Sequence, residues 1–408
     1  MIAALVLGCL APRSRAEEAA KKSPEQHLYG ALEMTPDHYA ANREAGMNVA
    51  VVRLSWDRFE PKENSFDGRY IEDLAMEKRK LREMGFLLQL DLGVQYAPGW
   101  VFALKGGRYR NQWGEEFRSE DSGVEAPNGV FSAAVRERMA GYFAEVFRRL
   151  GANWDFVRLG CGKYGETNYP SARYNGRENC YWGFDELAQG KAPGVADGMA
   201  VCPVAGWKPG EASAGHESAR RFVEWYLESL KRYQDWQIAT VRRDYAGKIC
   251  LLYGSWGLRP GWLEGAIEGD LAGQTAPERN GEVQQGFDWQ RMIGGIRDGK
   301  AIVYCTWLDG TIGNRDIADD ESRDEARWSP VHWQASLARA NALGPSLWGE
   351  NTGHNTEEVM RLVFKRRKKD ELMGVMWAFD GELYREPNPE GLATMREYKE
   401  LMEKSAKN

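Results

Sequence analysis

The chain has 408 residues, 43% of them hydrophobic, enough material for one large core, and α/β barrels commonly run past about 250 residues as a single domain. A net charge of −6 offers no basic surface to a phosphate backbone, so nucleic acid is excluded as an expected partner. The 16 Trp and 17 Tyr supply flat amphipathic rings of the kind a sugar face stacks on, although most such rings belong in a core.

Residues 1–16 read as a leader, with an apolar run from Met1 to Ala11 that turns polar at Pro12 and Arg13. The run is too short to span a bilayer and has no basic stretch before it, so a truncated signal peptide is expected, and with it secretion or delivery to the periplasm. Val6-Leu7-Gly8-Cys9 loosely resembles a lipobox, which makes a lipid anchor on Cys9 the weaker alternative. Residues 24–408 then form the single predicted domain, and no stable membrane span is expected.

Along that domain short β-like runs recur at 28–32, 49–54, 86–92, 156–160, 249–253, 302–306, 346–349 and 374–378, most of them followed by an amphipathic stretch. Several runs are apolar on both faces, as a strand covered by helices requires. Helical stripes occur at Val135, Met139, Phe143 and Val146, and at Val223, Leu227 and Leu230. Gly46 and Gly85 stand just before β-like runs, where a helix ends and the chain turns into a strand. Eight such units without a second composition predict a closed (β/α)8 barrel rather than an open doubly wound sheet. The long stretches 93–126 and 161–214 follow the third and fourth strands, where barrel enzymes place their active sites.

Gly160-Cys161-Gly162-Lys163-Tyr164-Gly165 matches a dinucleotide fingerprint by spacing, but that fingerprint must open a helix, and Glu166 through Pro170 follow instead. The five His, at 27, 38, 216, 332 and 354, show no ligand spacing among themselves or with Cys, so neither a metal nor any cofactor is expected. The acidic stretch 316–325 fits no calcium loop. Cys161, Cys250 and Cys305 fall in or beside strands, whereas Cys180 and Cys202 share one Gly-rich loop and are the disulfide expected of an exported chain.

An acid at the C-terminal end of a barrel strand faces the active-site side, which selects Glu33, Asp91, Glu166, Asp309, Glu350 and Asp380. Glu166 and Glu350 stand out, because each is preceded by glycine and flanked by hydrogen-bonding side chains. Acids after strands four and seven lie on opposite sides of a barrel mouth. Acetal hydrolysis needs such a pair, one to protonate the leaving oxygen and one to attack or to activate water.

Three segments carry a family resemblance. The run from Asn48 through Arg53, Trp56, Glu60-Pro61 and Phe66-Asp67 resembles the second βα unit of clan A glycoside hydrolases, family 42 β-galactosidases above all. Gly165-Glu166-Thr167-Asn168-Tyr169-Pro170-Ser171 resembles the signature around the acid of family 14 β-amylases, and Gly349-Glu350-Asn351 the segment around their second catalytic glutamate. The resemblance implies an O-glycoside hydrolase with Glu166 as general acid and Glu350 as second carboxylate. It further implies that Arg53 orients Glu350, that Tyr304 is a hydrogen-bonding tyrosine and that Trp377 is a sugar platform. Trp56, Asp91, Tyr96, Tyr164, Asn168, Trp307, Trp348 and Asn351 complete the expected substrate contacts. Gly165 departs from clan A, which usually has Asn before the acid. Gln95 to Trp100 resembles a β-galactosidase loop rather than the β-amylase lid, which favours β-linked substrates, galactosides among them, and a retaining course. The alternatives are an inverting β-amylase-like glucan hydrolase, a carbohydrate-binding barrel without catalysis and, less favoured, a polysaccharide lyase.

Overall fold

A computed structural model describes residues 27–119, 124–160, 162–254, 257–310, 330–343, 347–385 and 391–406. The leader with Cys9, the assignment of Cys161 and the acidic stretch 316–325 lie outside these residues. The eight strands are β1 (Leu28–Glu33), β2 (Val49–Arg53), β3 (Leu87–Asp91), β4 (Phe156–Leu159), β5 (Lys248–Tyr253), β6 (Ala301–Cys305), β7 (Leu347–Gly349) and β8 (Gly374–Phe379). They pair in parallel in the order β7-β6-β5-β4-β3-β2-β1-β8. A parallel bridge between Glu350 and Met376 joins the two ends, closing the (β/α)8 barrel.

Strand alternation sorts the side chains into two layers. Leu28, Val49, Phe156, Cys250, Leu252, Ile302, Tyr304, Trp348 and Met376 fill the interior. Their strand neighbours, such as Val157, Leu251, Val303, Val375 and Trp377, join the larger cluster between the strands and the helices. This double burial is why the strands read as apolar on both faces.

The helices begin and end where local chemistry demands. Asp67 caps Gly68–Glu83 by accepting from the amides of Arg69 and Tyr70, and Ser132 caps Ala133–Leu150 through the amide of Val135. Tyr39–Ala45 stops at Gly46, whose φ of 110° is one that L side chains rarely adopt. Ala133–Leu150 buries Val135, Met139, Phe143 and Val146, and Glu217–Val241 buries Val223, Leu227 and Leu230. No helix of the described residues is long and apolar enough to cross a membrane.

The loops after β3 and β4 pack as ordered structure around buried aromatic rings, among them Tyr109, Tyr169, Tyr181 and Trp182. The expected disulfide does not form. Cys180 and Cys202 are separate buried thiols, each in a turn of its own: the Cys180 amide bonds Ala172 O and the Cys202 amide bonds Ala188 O. Burial pushes the Cys180 thiol up to about 11.

Candidate active site

Glu350 directly follows β7. Its amide bonds Cys305 O and its carbonyl accepts from Leu308, so the backbone is pinned to the end of β6. The side chain turns into the barrel, where Arg158 grips it with Nη1 3.0 Å from Oε2 and Nη2 3.4 Å from Oε1. The Tyr304 hydroxyl donates to Oε2 at 2.7 Å. The two short bonds thus converge on Oε2, and Oε1 is the less engaged oxygen. Burial opposes the charge of Arg158, but Glu350, Tyr304 and Asp91 outweigh it and hold the guanidinium above its ordinary value. Burial, followed by the neighbouring Glu350, keeps the Tyr304 hydroxyl well above the usual tyrosine range and therefore protonated.

Glu166 is reached by a tight turn out of β4. The Gly162 amide bonds Glu166 O at 2.6 Å and the Gly165 amide bonds Gly162 O at 3.0 Å. At Gly160 a Cβ would fall 1.5 Å from Gly165 O, so only glycine permits the turn to fold back this closely. Thr167 then donates to Leu252 O, stitching the segment to β5. The glycine spacing that mimics a dinucleotide fingerprint therefore builds this turn, which runs into extended backbone at Glu166 rather than into the helix a pyrophosphate would need.

Around the Glu166 carboxyl, Thr306 Oγ1 donates to Oε1 at 2.5 Å and Asn168 Nδ2 to Oε2 at 3.0 Å, and the Trp307 side chain adds a third hydrogen bond. Burial is the largest influence and raises the pKa; the donors pull it back in part, and the charge of Glu350 raises it again, to about 7. Two acids thus face one mouth in different electrostatic settings.

The other predicted contacts divide by where strand parity sends them. Tyr304, Asn168 and Trp307 touch one of the two glutamates. Tyr164 is 61% exposed two residues before Glu166 and holds a φ of 64°, unusual for a bulky residue. Tyr96 is half-buried and close to Arg53.

Arg53 does not orient Glu350: it pairs with Glu33 at 2.5 Å and with Asp91 at 3.4 Å, and Arg158 from β4 takes the place assigned to it. Trp377 is no sugar platform, because its parity sends it into the helical layer, where it packs on Tyr398 and donates to Asn355 Oδ1. Trp56 is likewise fully buried, stacked on Tyr142 and hydrogen-bonded to Glu60. Trp348 lies inside the barrel, fully buried, with its ring against Phe156 and Tyr304. Asn351 spends its amide on backbone, accepting from Ala378 N–H and donating to His354 O.

Asp309 accepts from the amide and hydroxyl of Thr352, and Asp380 from Thr35 and Asn42, so both brace loops. Arg158 and Thr306 were missed. Arg158 was readable, since it sits two residues after the inward-facing Phe156 and shares its parity. Thr306 carries the same signal, since it sits two residues after the inward-facing Tyr304 and shares its parity.

No known protein-family profile matches the chain, and no curated protein sequence matches it. Its structure is similar to solved barrels. The catalytic domain of β-amylase from Paenibacillus polymyxa superposes with a TM-score of 0.64 at 15% identity, over 93% of this chain and 98% of that one. β-Galactosidases from Marinomonas ef1 and Bacillus circulans sp. alkalophilus both give a TM-score of 0.58, at 11% and 13% identity, over 93% of this chain. The chain spans 59% and 56% of those two proteins' lengths.

Proposed function

We propose that the protein is a glycoside hydrolase that cleaves O-glycosidic bonds, with Glu166 donating a proton to the leaving oxygen and Glu350 attacking the anomeric carbon. The observation that carries this reading is the contrast between the two buried acids: Glu166 is surrounded by neutral donors and burial pushes its carboxyl up to about 7, while a guanidinium binds both oxygens of Glu350. Acid-assisted acetal cleavage needs one carboxyl that still holds its proton near neutrality and one that is ionised. The names of the similar barrels, a β-amylase and β-galactosidases, support carbohydrate as the substrate class.

In the first step Glu350 Oε1, the less engaged oxygen, forms a bond to the anomeric carbon as the C–O bond breaks, and the Glu166 proton passes to the departing oxygen. In the second step Glu166 takes a proton from water, whose oxygen displaces Glu350 and frees the sugar. Digestion of a broad glycan panel with mass analysis of products tests the reading. Cleavage should occur in the wild type and vanish in Glu166→Gln and Glu350→Gln. Binding without any product would favour a carbohydrate-binding barrel, and an unsaturated product absorbing in the ultraviolet would point to a lyase.

One observation favours a second course. The β-amylase domain overlaps over nearly its whole length, and an inverting enzyme would use Glu350 to activate water rather than to attack. Proton NMR of the first anomer released distinguishes the two. Retention supports Glu350 as nucleophile, and inversion makes it a general base.

A further inference from the structure

Four adjacent strands each place one charged side chain at or near their C-terminal end, and the signs alternate: Glu33 on β1, Arg53 on β2, Asp91 on β3 and Arg158 on β4. Arg53 Nη1 lies 2.5 Å from Glu33 and its Nε 3.4 Å from Asp91 Oδ2. The same Asp91 oxygen faces Arg158 Nε at 3.8 Å, and Arg158 turns its two Nη atoms to Glu350. Side-chain exposure falls along the row, from 52% at Glu33 through 25%, 10% and 3% at Arg158. The outer pair is therefore screened by solvent, and the inner contacts act in a drier medium.

Asp91 is itself fixed, since its Oδ1 accepts the Gly93 amide at 3.0 Å. A carboxylate held on the far side of a guanidinium restrains its direction. Among the described residues no group hydrogen-bonds the buried Arg158 Nε, and the Asp91 carboxylate 3.8 Å away is the charge that faces it. We propose that Asp91 is a positioning residue for Glu350 that acts through Arg158, with Arg53 holding Asp91 in turn. Its importance for turnover rests on the reading of Glu350 as the reacting carboxylate, but the contact chain does not.

Two effects of Asp91 on Glu350 have opposite signs, which makes the proposal testable. Its own negative charge disfavours a second carboxylate nearby, whereas its hold on Arg158 favours one. The other groups facing Glu350 are Tyr304 from β6, Glu166 from the β4 turn and Cys250 from β5. Burial pushes that thiol up to about 12, so it stays neutral.

The experiment is a carbon-13 carboxyl NMR titration of the full chain labelled at its glutamate side chains, with the Glu350 signal assigned by its loss in Glu350→Gln. In Asp91→Asn the Glu350 midpoint should move up by about half a pH unit or more. Arg53→Gln should move it the same way by less, and supplies the test if Asp91→Asn does not fold. In an Arg158→Gln background, Asp91→Asn should produce no further rise. A downward or unchanged midpoint in the single variants, or a further rise in that background, overturns the proposal. No glycoside is needed, so absence of hydrolysis would sink the functional reading while leaving this result standing.

Discussion

Glu166 and Glu350 face the same barrel mouth, and the side chains within reach of them differ in kind. Thr306, Asn168 and Trp307, all neutral, donate to Glu166. A buried arginine and a tyrosine donate to Glu350. Neutral donors in a dry site offset only part of the desolvation of a carboxylate, so Glu166 is pushed up to about 7. A guanidinium supplies full opposite charge in a two-point grip, the stronger kind of hydrogen bonding. One residue type can thus be set to hold or to release its proton by what each copy touches.

The largest expected effect comes from removing either acid. Glu166→Gln and Glu350→Gln should each lower kcat on a cleaved glycoside by roughly 10²–10⁴-fold or more, because an amide neither donates the same proton nor ionises. Wild-type turnover in either variant would break the comparison at its root.

Arg158→Gln removes two charge-assisted hydrogen bonds from Glu350, worth about 1.5–3 kcal/mol each when made to an ionised group. A loss of roughly 10²–10⁴-fold in kcat/KM is expected, with the acid limb of the pH profile moved to higher pH. An unmoved limb would leave Arg158 a structural cation only.

The barrel and the placement of Glu166 and Glu350 at its mouth were legible in the sequence, and the groups that touch them only in part. Each strand end falls within one residue of its expected position, because double burial writes continuous apolar runs that propensity alone can read. Glu166 and Glu350 were legible because glycine and polar neighbours mark backbone that comes close to a ligand. Trp377 and Trp56 depart for a different reason: the resemblance implies a sugar platform at Trp377, and Trp56 is expected to contact substrate, but strand parity and the local helix put both against the helical layer. The resemblance implies that Arg53 orients Glu350, and the closed barrel shows that Arg158 points at β7 instead.

A milder change sharpens the Glu166 side. Thr306→Val deletes the donor to Oε1, and since that bond favours the ionised form, the alkaline limb of activity should move to higher pH. A limb that moves down would contradict the assigned donor.

The stability of the acid gives a check free of substrate. The Glu166 pKa is raised above its ordinary 4.5 to about 7, so its neutral form suits the fold. That contribution is full below pH 4.5 and is lost as pH rises through about 7. Glu166→Gln should therefore melt about as the wild type does near pH 4.5 and higher than it, by a few degrees, at about pH 8. A gap that closes with rising pH would be the wrong sign.

The smallest effect on activity is expected at Trp377. Trp377→Phe loses packing and the bond to Asn355, roughly 1–3 kcal/mol of stability, while kcat/KM should change less than about threefold. A large loss of activity with little loss of stability would return this ring to the substrate.

The central claim, that Glu166 keeps its proton near neutral pH while a guanidinium grips Glu350, is tested most directly by following Glu166 itself. In the glutamate-labelled wild type, the carboxyl signal that disappears in Glu166→Gln should titrate with a midpoint near 7. A midpoint in the ordinary carboxylate range, about 4.3, would mean that Glu166 is ionised at neutral pH and cannot be the proton donor, and the account would fail.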